Sequence, residues 1–125
     1  MSKGRIYEQF VNKFLKGNRV ADYQDYYDIE TKNCLYEIKG IKLFEKNKSS
    51  LGRYKISIFN HNKFKELAEQ LKKTPKYIFV LKIQNNTIYK TMTFESINFA
   101  ILKSRKHFNN LSKEEVVNIS IRQIW

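Results

Sequence analysis

Apolar residues recur at helical spacing from position 5 to position 15. Ile6, Phe10 and Phe14, joined by Tyr7, Val11 and Leu15, make one broad apolar face, with Gln9, Asn12, Lys13 and Lys16 opposite. The pattern predicts a helix over 5–15, stopped at Gly17 and Asn18. Glu8 lies at the border of the apolar face and is the only acid before Asp22. Residues 19–29 are rich in Tyr and short of helix signals, which predicts a strand. Residues 30–33 are polar and turn-like, and 34–41 predicts a second strand, so the pair forms a hairpin. In that second strand Leu35, Glu37, Lys39 and Ile41 point one way, and Tyr36, Ile38 and Gly40 the other.

The later pattern continues the alternation of helix and strand. Residues 42–52 read as a polar, basic loop and 53–59 as a short strand. Phe64, Leu67, Ala68 and Leu71 mark a helix over 60–72, ended at Thr74 and Pro75. The apolar run Tyr77–Leu81, bounded by charged residues, suits a strand buried on both faces. A turn at Asn85 and Asn86 leads into a strand over 87–92. Thr93 is placed to cap a helix over 94–103, through Ile97 and Ile101. Val117, Ile119 and Ile121 alternate in a final strand. With no internal repeat and no linker, the expectation is one α/β domain over residues 1–125, a mixed central sheet flanked by helices.

Charge narrows the function. Twenty-four basic residues face twelve acidic ones, a formal charge of +12 on 125 residues, which favours polyanionic partners. Nucleic acid fits better than anionic lipid, because no amphipathic basic helix or lipidation signal is present. Cys34 is alone, which excludes an intrachain disulfide and a cysteine-based zinc site. The basic N-terminus leads into an amphipathic segment rather than an apolar signal core, and no apolar run approaches the ~20 residues of a membrane span. The expectation is a soluble, intracellular protein of the cytoplasm.

The chemistry concentrates in Asp28-Ile-Glu-Thr-Lys-Asn-Cys-Leu-Tyr-Glu37-Ile-Lys39. The period of two sets Glu37 and Lys39 on one face, roughly 6–7 Å apart along the strand, and a hairpin returns Asp28 beside them. Two converging carboxylates are hard oxygen ligands suited to Mg2+, with Mn2+ able to substitute. Such a cation activates water and offsets charge on a phosphate, and a neighbouring lysine orients the water or stabilises charge. The bland alternative is a strand-borne Glu–Lys ion pair with no chemistry. Asp25 and Asp22 are rivals to Asp28 as the first acid, and Asp25 lies on the opposite strand face from Asp28.

Together these features resemble the PD-(D/E)XK nuclease superfamily, which includes many restriction endonucleases and archaeal Holliday-junction resolvases. The resemblance covers residues 5–83. Asp28 matches the first acid and Glu37-Ile38-Lys39 the (D/E)-x-K, while Tyr27 stands where the motif has Pro. Glu8 matches the glutamate that many members carry on the first helix. The resemblance implies catalytic Glu8, Asp28, Glu37 and Lys39, with Asp28, Glu37 and Glu8 holding the metal.

Lys42, Lys46, Lys48, Arg53 and Lys55 form a basic group suited to DNA phosphates, with Tyr54 interleaved, or else a solvated loop. His61, at the start of the second helix, reads as a phosphate or water contact, or as a hydrogen-bonded structural residue. Lys103–His107 is a second basic cluster, which also suits a helix C-terminus. A single small domain leaves little room for a sequence-reading module. The expectation is therefore a structure-selective DNA endonuclease of Holliday-junction resolvase type. The alternatives are a small restriction-type enzyme, an inactive binding module on the same fold, and an RNA-binding or ribonuclease domain of another class. Cutting two strands takes two sites, which implies a homodimer.

Overall fold

The computed structural model describes residues 3–19, 26–43 and 51–125. Helix α1 (Lys3–Leu15) opens the chain, followed by short strands β1 (Asn18–Arg19) and β2 (Ile29–Glu30) and the long strand β3 (Cys34–Lys42). Strand β4 (Arg53–Ser57) leads directly into α2 (Ile58–Leu71), then β5 (Thr74–Ile83), β6 (Asn86–Thr93) and α3 (Phe94–Lys103). The chain closes with β7 (Lys106–Asn109), β8 (Glu114–Ser120) and a single turn, α4 (Ile121–Ile124).

Five of these strands form a mixed sheet in the order β1-β2-β3-β5-β6, and β4-β8-β7 form a second, antiparallel sheet. The expected mixed α/β architecture is present, and the second sheet is an addition to it. The predicted hairpin is β2 and β3, held at its turn by Thr31, whose N–H reaches the Cys34 carbonyl at 2.9 Å. The strand expected over 19–29 is found at its two ends, and residues 20–25, with Asp22 and Asp25, lie outside the described residues. β3 and β5 are parallel, with Cys34 beside Thr74 and Lys42 beside Lys82 at the two ends of the register.

β5 is buried on both faces, as its apolar run requires. Ile78 and Val80 join Val11, Ile29 and Ile38 beneath α1. Tyr77, Phe79 and Leu81 face the larger core, with Leu35, Tyr54, Phe64, Phe94, Ile97 and Val117. Tyr54, expected to accompany DNA-facing lysines, is fully buried, and its hydroxyl donates to the Val80 carbonyl at 3.0 Å. Burial pushes that hydroxyl up to about 12, against the pull of the Trp125 hydrogen bond and with Tyr7 adding to the rise.

α1 lies on the sheet by the Val11 side of the expected face, with Tyr7, Phe10 and Leu15 packed beside it. Val11 is fully buried and Glu8 only 7% exposed, while Ile6 is 54% and Phe14 42% exposed. Glu8, at the border of that face, is drawn inward, while Ile6 and Phe14 are left outside. Gly40 sets this docking. A Cβ there would stand 2.2 Å from the Tyr7 ring, so only glycine lets the helix sit this low. At the helix end Lys16 takes the left-handed turn (φ 54°), and Gly17 instead permits close approach to the Glu30 carbonyl.

Two late elements depart from the sequence pattern. Ile121 alternates with Val117 and Ile119 but begins α4, because Ser120 and Gln123 form a reciprocal capping box. The cluster 103–107 divides: Lys103 ends α3, and Lys106 and His107 belong to β7. Thr93 caps α3 as expected, accepting from the Ser96 N–H at 3.1 Å. No helix among the described residues is long and apolar enough to cross a membrane.

Candidate active site

β2 pairs with β3 only at Leu35 and Tyr36. Beyond that point the edge of β3 would present an unpaired Ile38 N–H. The Asp28 carboxylate fills the place: Oδ2 accepts from Ile38 N–H at 2.7 Å, while the Asp28 N–H donates to the Tyr36 carbonyl at 2.8 Å. Asp28 is therefore pinned against β3, one residue from Glu37.

Glu37 and Lys39 share the β3 face of Leu35, the face turned from α1. Burial pushes the Glu37 carboxyl well above the usual carboxylate range. Lys39 pulls it back, while a hydrogen bond with Asp28 and the charges of Asp28 and Glu8 push it further. Glu8 reaches the site from α1, through the docking set by Tyr7 and Gly40. The four residues singled out from sequence, Glu8, Asp28, Glu37 and Lys39, are thus electrostatic neighbours around the free edge of β3. Three acidic side chains gather around one ammonium within a chain of charge +12, and the raised Glu37 carboxyl readily keeps a proton there.

The donor set suits a divalent cation in part. No group of three or more His, Cys, Asp and Glu side chains among the described residues forms a ready cation cage. Asp28 and Glu37 are two adjoining carboxyl groups, a donor set that would suit an ion such as Mg2+, which keeps several waters. Glu8 acts on Glu37 as a charge neighbour.

The remaining candidates separate cleanly. Lys42, Arg53 and Lys55 are exposed, the last two alternating with buried Tyr54 and Ile56 on β4. Lys46 and Lys48 lie outside the described residues. His61 is only 3% exposed, so the phosphate-contact reading gives way to the structural one. Its Nε2–H donates to Asn98 Oδ1 at 3.3 Å, and its Nδ1 accepts from the Tyr77 hydroxyl at 2.7 Å. The ring also stacks on Phe94 at 4.1 Å. Burial lowers the His61 value below that of free imidazole, the Asn98 bond opposes this, and Lys65 adds to it.

Two positioning residues escaped the motif. Gly40 seats α1 and thereby Glu8; a lone glycine inside a strand is the signal for such a close approach. Tyr77 is the register partner of Glu37 on β5, and burial raises its hydroxyl, with the Glu37 charge adding to that rise. No sequence signal marks Tyr77 apart from its place in an apolar run.

The chain is similar in structure to Archaeoglobus fulgidus Hjc, a Holliday junction resolvase from an archaeal hyperthermophile. The TM-score is 0.58 at 14% identity, over 98% of this chain and 88% of that one. The likeness is one of fold, a mixed sheet flanked by helices. No family model matches the sequence, and no curated protein does.

Proposed function

We propose that the chain is a metal-dependent endonuclease that hydrolyses phosphodiester bonds in DNA. The observation that carries this is the seating of Asp28 on the Ile38 N–H beside Glu37, with Lys39 on the same strand and Glu8 adjoining. A solvated Glu–Lys pair needs none of this. It does not require a second acid held by the backbone, nor a third one buried in a helix packing row.

In this reading Asp28 and Glu37 hold Mg2+, with Mn2+ able to substitute. When bound, the cation supplies a Lewis acid for the phosphate and eases deprotonation of a water. Asp28 is fixed by its backbone bond, so its carboxylate is oriented before any ligand arrives. The Lys39 ammonium holds the attacking water or offsets charge that grows on the phosphate oxygens. Glu8 accepts a hydrogen bond from water at the back of the site. Exposed Lys42, Arg53 and Lys55 hold flanking phosphates by charge, without reading sequence.

Branched DNA is the preferred substrate of this reading. The fold likeness to a Holliday junction resolvase supports it. Incision of two strands takes two sites, so the acting form is a homodimer. Incubating purified protein with supercoiled plasmid, linear duplex, a four-way junction and RNA, with and without Mg2+, tests the proposal. Mg2+-dependent cleavage of DNA, fastest on the junction, is expected. Absence of cleavage in Mg2+ and Mn2+ alike, with DNA binding intact, would leave an inactive binding fold.

A further inference from the structure

The parallel register of β3 and β5 sets Lys42 directly beside Lys82. Paired residues on neighbouring strands leave the same face of a sheet, so two ammonium groups are held side by side. Like charges in that relation destabilise a sheet unless something answers them. Both lysines are exposed, and neither ion pair found among the described residues, Lys63–Glu66 or Lys73–Glu30, includes them.

Lys42 ends β3 and Lys82 stands one residue before the end of β5, at a cavity of about 330 Å³ lined also by Leu43, Ile83 and Gln84. The backbone here is braced. Leu43 N–H donates to the Lys82 carbonyl at 2.9 Å, and Gly52 N–H to the Leu43 carbonyl at 2.9 Å. Gly52 is tight against this end, since a Cβ there would stand 2.6 Å from the Lys42 carbonyl. The direction of α1 adds to the charge. Its C-terminal Gly17 abuts Ile29 and Glu30, which pair with the start of β3, while Tyr7 covers Gly40 near the far end. The positive end of the helix dipole therefore points toward the lysine pair.

We propose that Lys42 and Lys82 form a notch for a backbone phosphate of bound DNA, at a distance from the reacting phosphate. The inference rests on the nuclease reading for its ligand. It adds Lys82 and a location that the basic-loop pattern does not give. Lys42 lies three residues beyond Lys39, about 10 Å along an extended strand. An odd step puts the pair on the α1-covered face, opposite Glu37 and Lys39, so the notch meets a phosphate where the DNA passes the strand end, outside the scissile step. Lys82 belongs to a separate strand and is brought to Lys42 only by the β3–β5 pairing.

The test compares the unmodified full-length protein with Lys82→Ala, Lys82→Arg and Lys65→Ala. Binding of a labelled DNA duplex is followed as salt is raised, without divalent metal. Lys65 is exposed on α2 and serves as a control for loss of one charge elsewhere. Lys82→Ala is expected to shallow the slope of log K against log salt by ~0.9. Lys82→Arg keeps the slope, Lys65→Ala leaves it unchanged, and the Tm of Lys82→Ala does not fall. An unchanged slope in Lys82→Ala would overturn the notch while leaving the nuclease reading intact. A lowered Tm in that variant would make Lys82 a structural residue and count equally against the notch. Failure of the unmodified protein to bind duplex at any salt would overturn the nuclease reading, and the notch with it.

Discussion

The Ile38 N–H donates to the Asp28 carboxylate at 2.7 Å, in the place that a carbonyl of an adjoining strand would otherwise occupy. One side chain thus ends the β2–β3 pairing and holds an acid beside Glu37. Structure and chemistry can be separated there, because the backbone bond needs an oxygen acceptor while a metal seat needs charge. Asp28→Asn keeps the acceptor and is expected to hold Tm near that of the unmodified protein while abolishing cleavage. Asp28→Ala loses both, and should cost about 1.5–3 kcal/mol of stability, the range for a hydrogen bond to a charged group. Denaturant unfolding of the two variants, read beside cleavage, distinguishes them. Equal destabilisation by both would mean that the carboxylate charge, rather than the acceptor, holds the strand end.

Gly40 and Tyr7 set the height of α1 over the sheet. Gly40→Ala drives a methyl group into the Tyr7 ring and should destabilise by about 1–3 kcal/mol, the usual cost of overpacking. It should also lower cleavage by moving Glu8. Adding Tyr7→Leu removes the clashing ring, and the pair should be more stable than the sum of the single variants implies. Strict additivity in a double-mutant cycle would show that the contact does not determine the docking.

His61 gives a pH dependence. Its neutral form is favoured in the folded chain, so its folded value lies below the ordinary 6.5. Its contribution to stability is complete above 6.5. It is lost as pH falls from that value toward the lower folded one, because the unfolded chain binds the proton first. The loss is at most about 1.4 kcal/mol per pH unit. His61→Gln, which does not titrate, should show a flatter decline in unfolding free energy between pH 7 and 5. It should leave the salt dependence of DNA binding unchanged. An identical pH decline in the variant would remove His61 as its source.

Arg53 and Lys55 project from one side of β4 while Tyr54 and Ile56 fill the core from the other. Each basic residue can therefore be removed without touching packing. If both meet phosphates, Arg53→Ala with Lys55→Ala should shallow the salt slope by ~1.8, twice the ~0.9 expected per contact. A full wild-type slope in the double variant would move the DNA surface away from β4.

Local pattern made much of this legible. Alternation along 34–41 put Glu37 and Lys39 on one face, and the run at 77–81 announced a strand covered on both sides. The turn after Glu30 brought Asp28 back to β3. What escaped depends on distant pairing. β4 belongs to a separate sheet because residues 53–57 pair with 116–120, a relation that no local period carries. β7 was hidden within basic residues that equally suit a helix end. The inward turn of Glu8 goes with the seating of Tyr7 on Gly40, three elements along, since the helical period alone leaves Glu8 at the border of the apolar face. Lys82 gains its meaning only from the strand beside it.

The central claim is that Glu37-Ile38-Lys39 performs chemistry, and Lys39 tests it most directly. The measurement is the single-turnover rate of DNA cleavage by Lys39→Ala at saturating enzyme and Mg2+, with binding measured separately. An ammonium that acts on the reacting phosphate matters mainly in the transition state. The expected result is a fall of about 10²–10³ in rate, by analogy with the loss of an oxyanion-hole donor, with binding little changed. Cleavage by Lys39→Ala at the rate of the unmodified protein would contradict the account and reduce the Glu37–Lys39 pair to an ordinary ion pair.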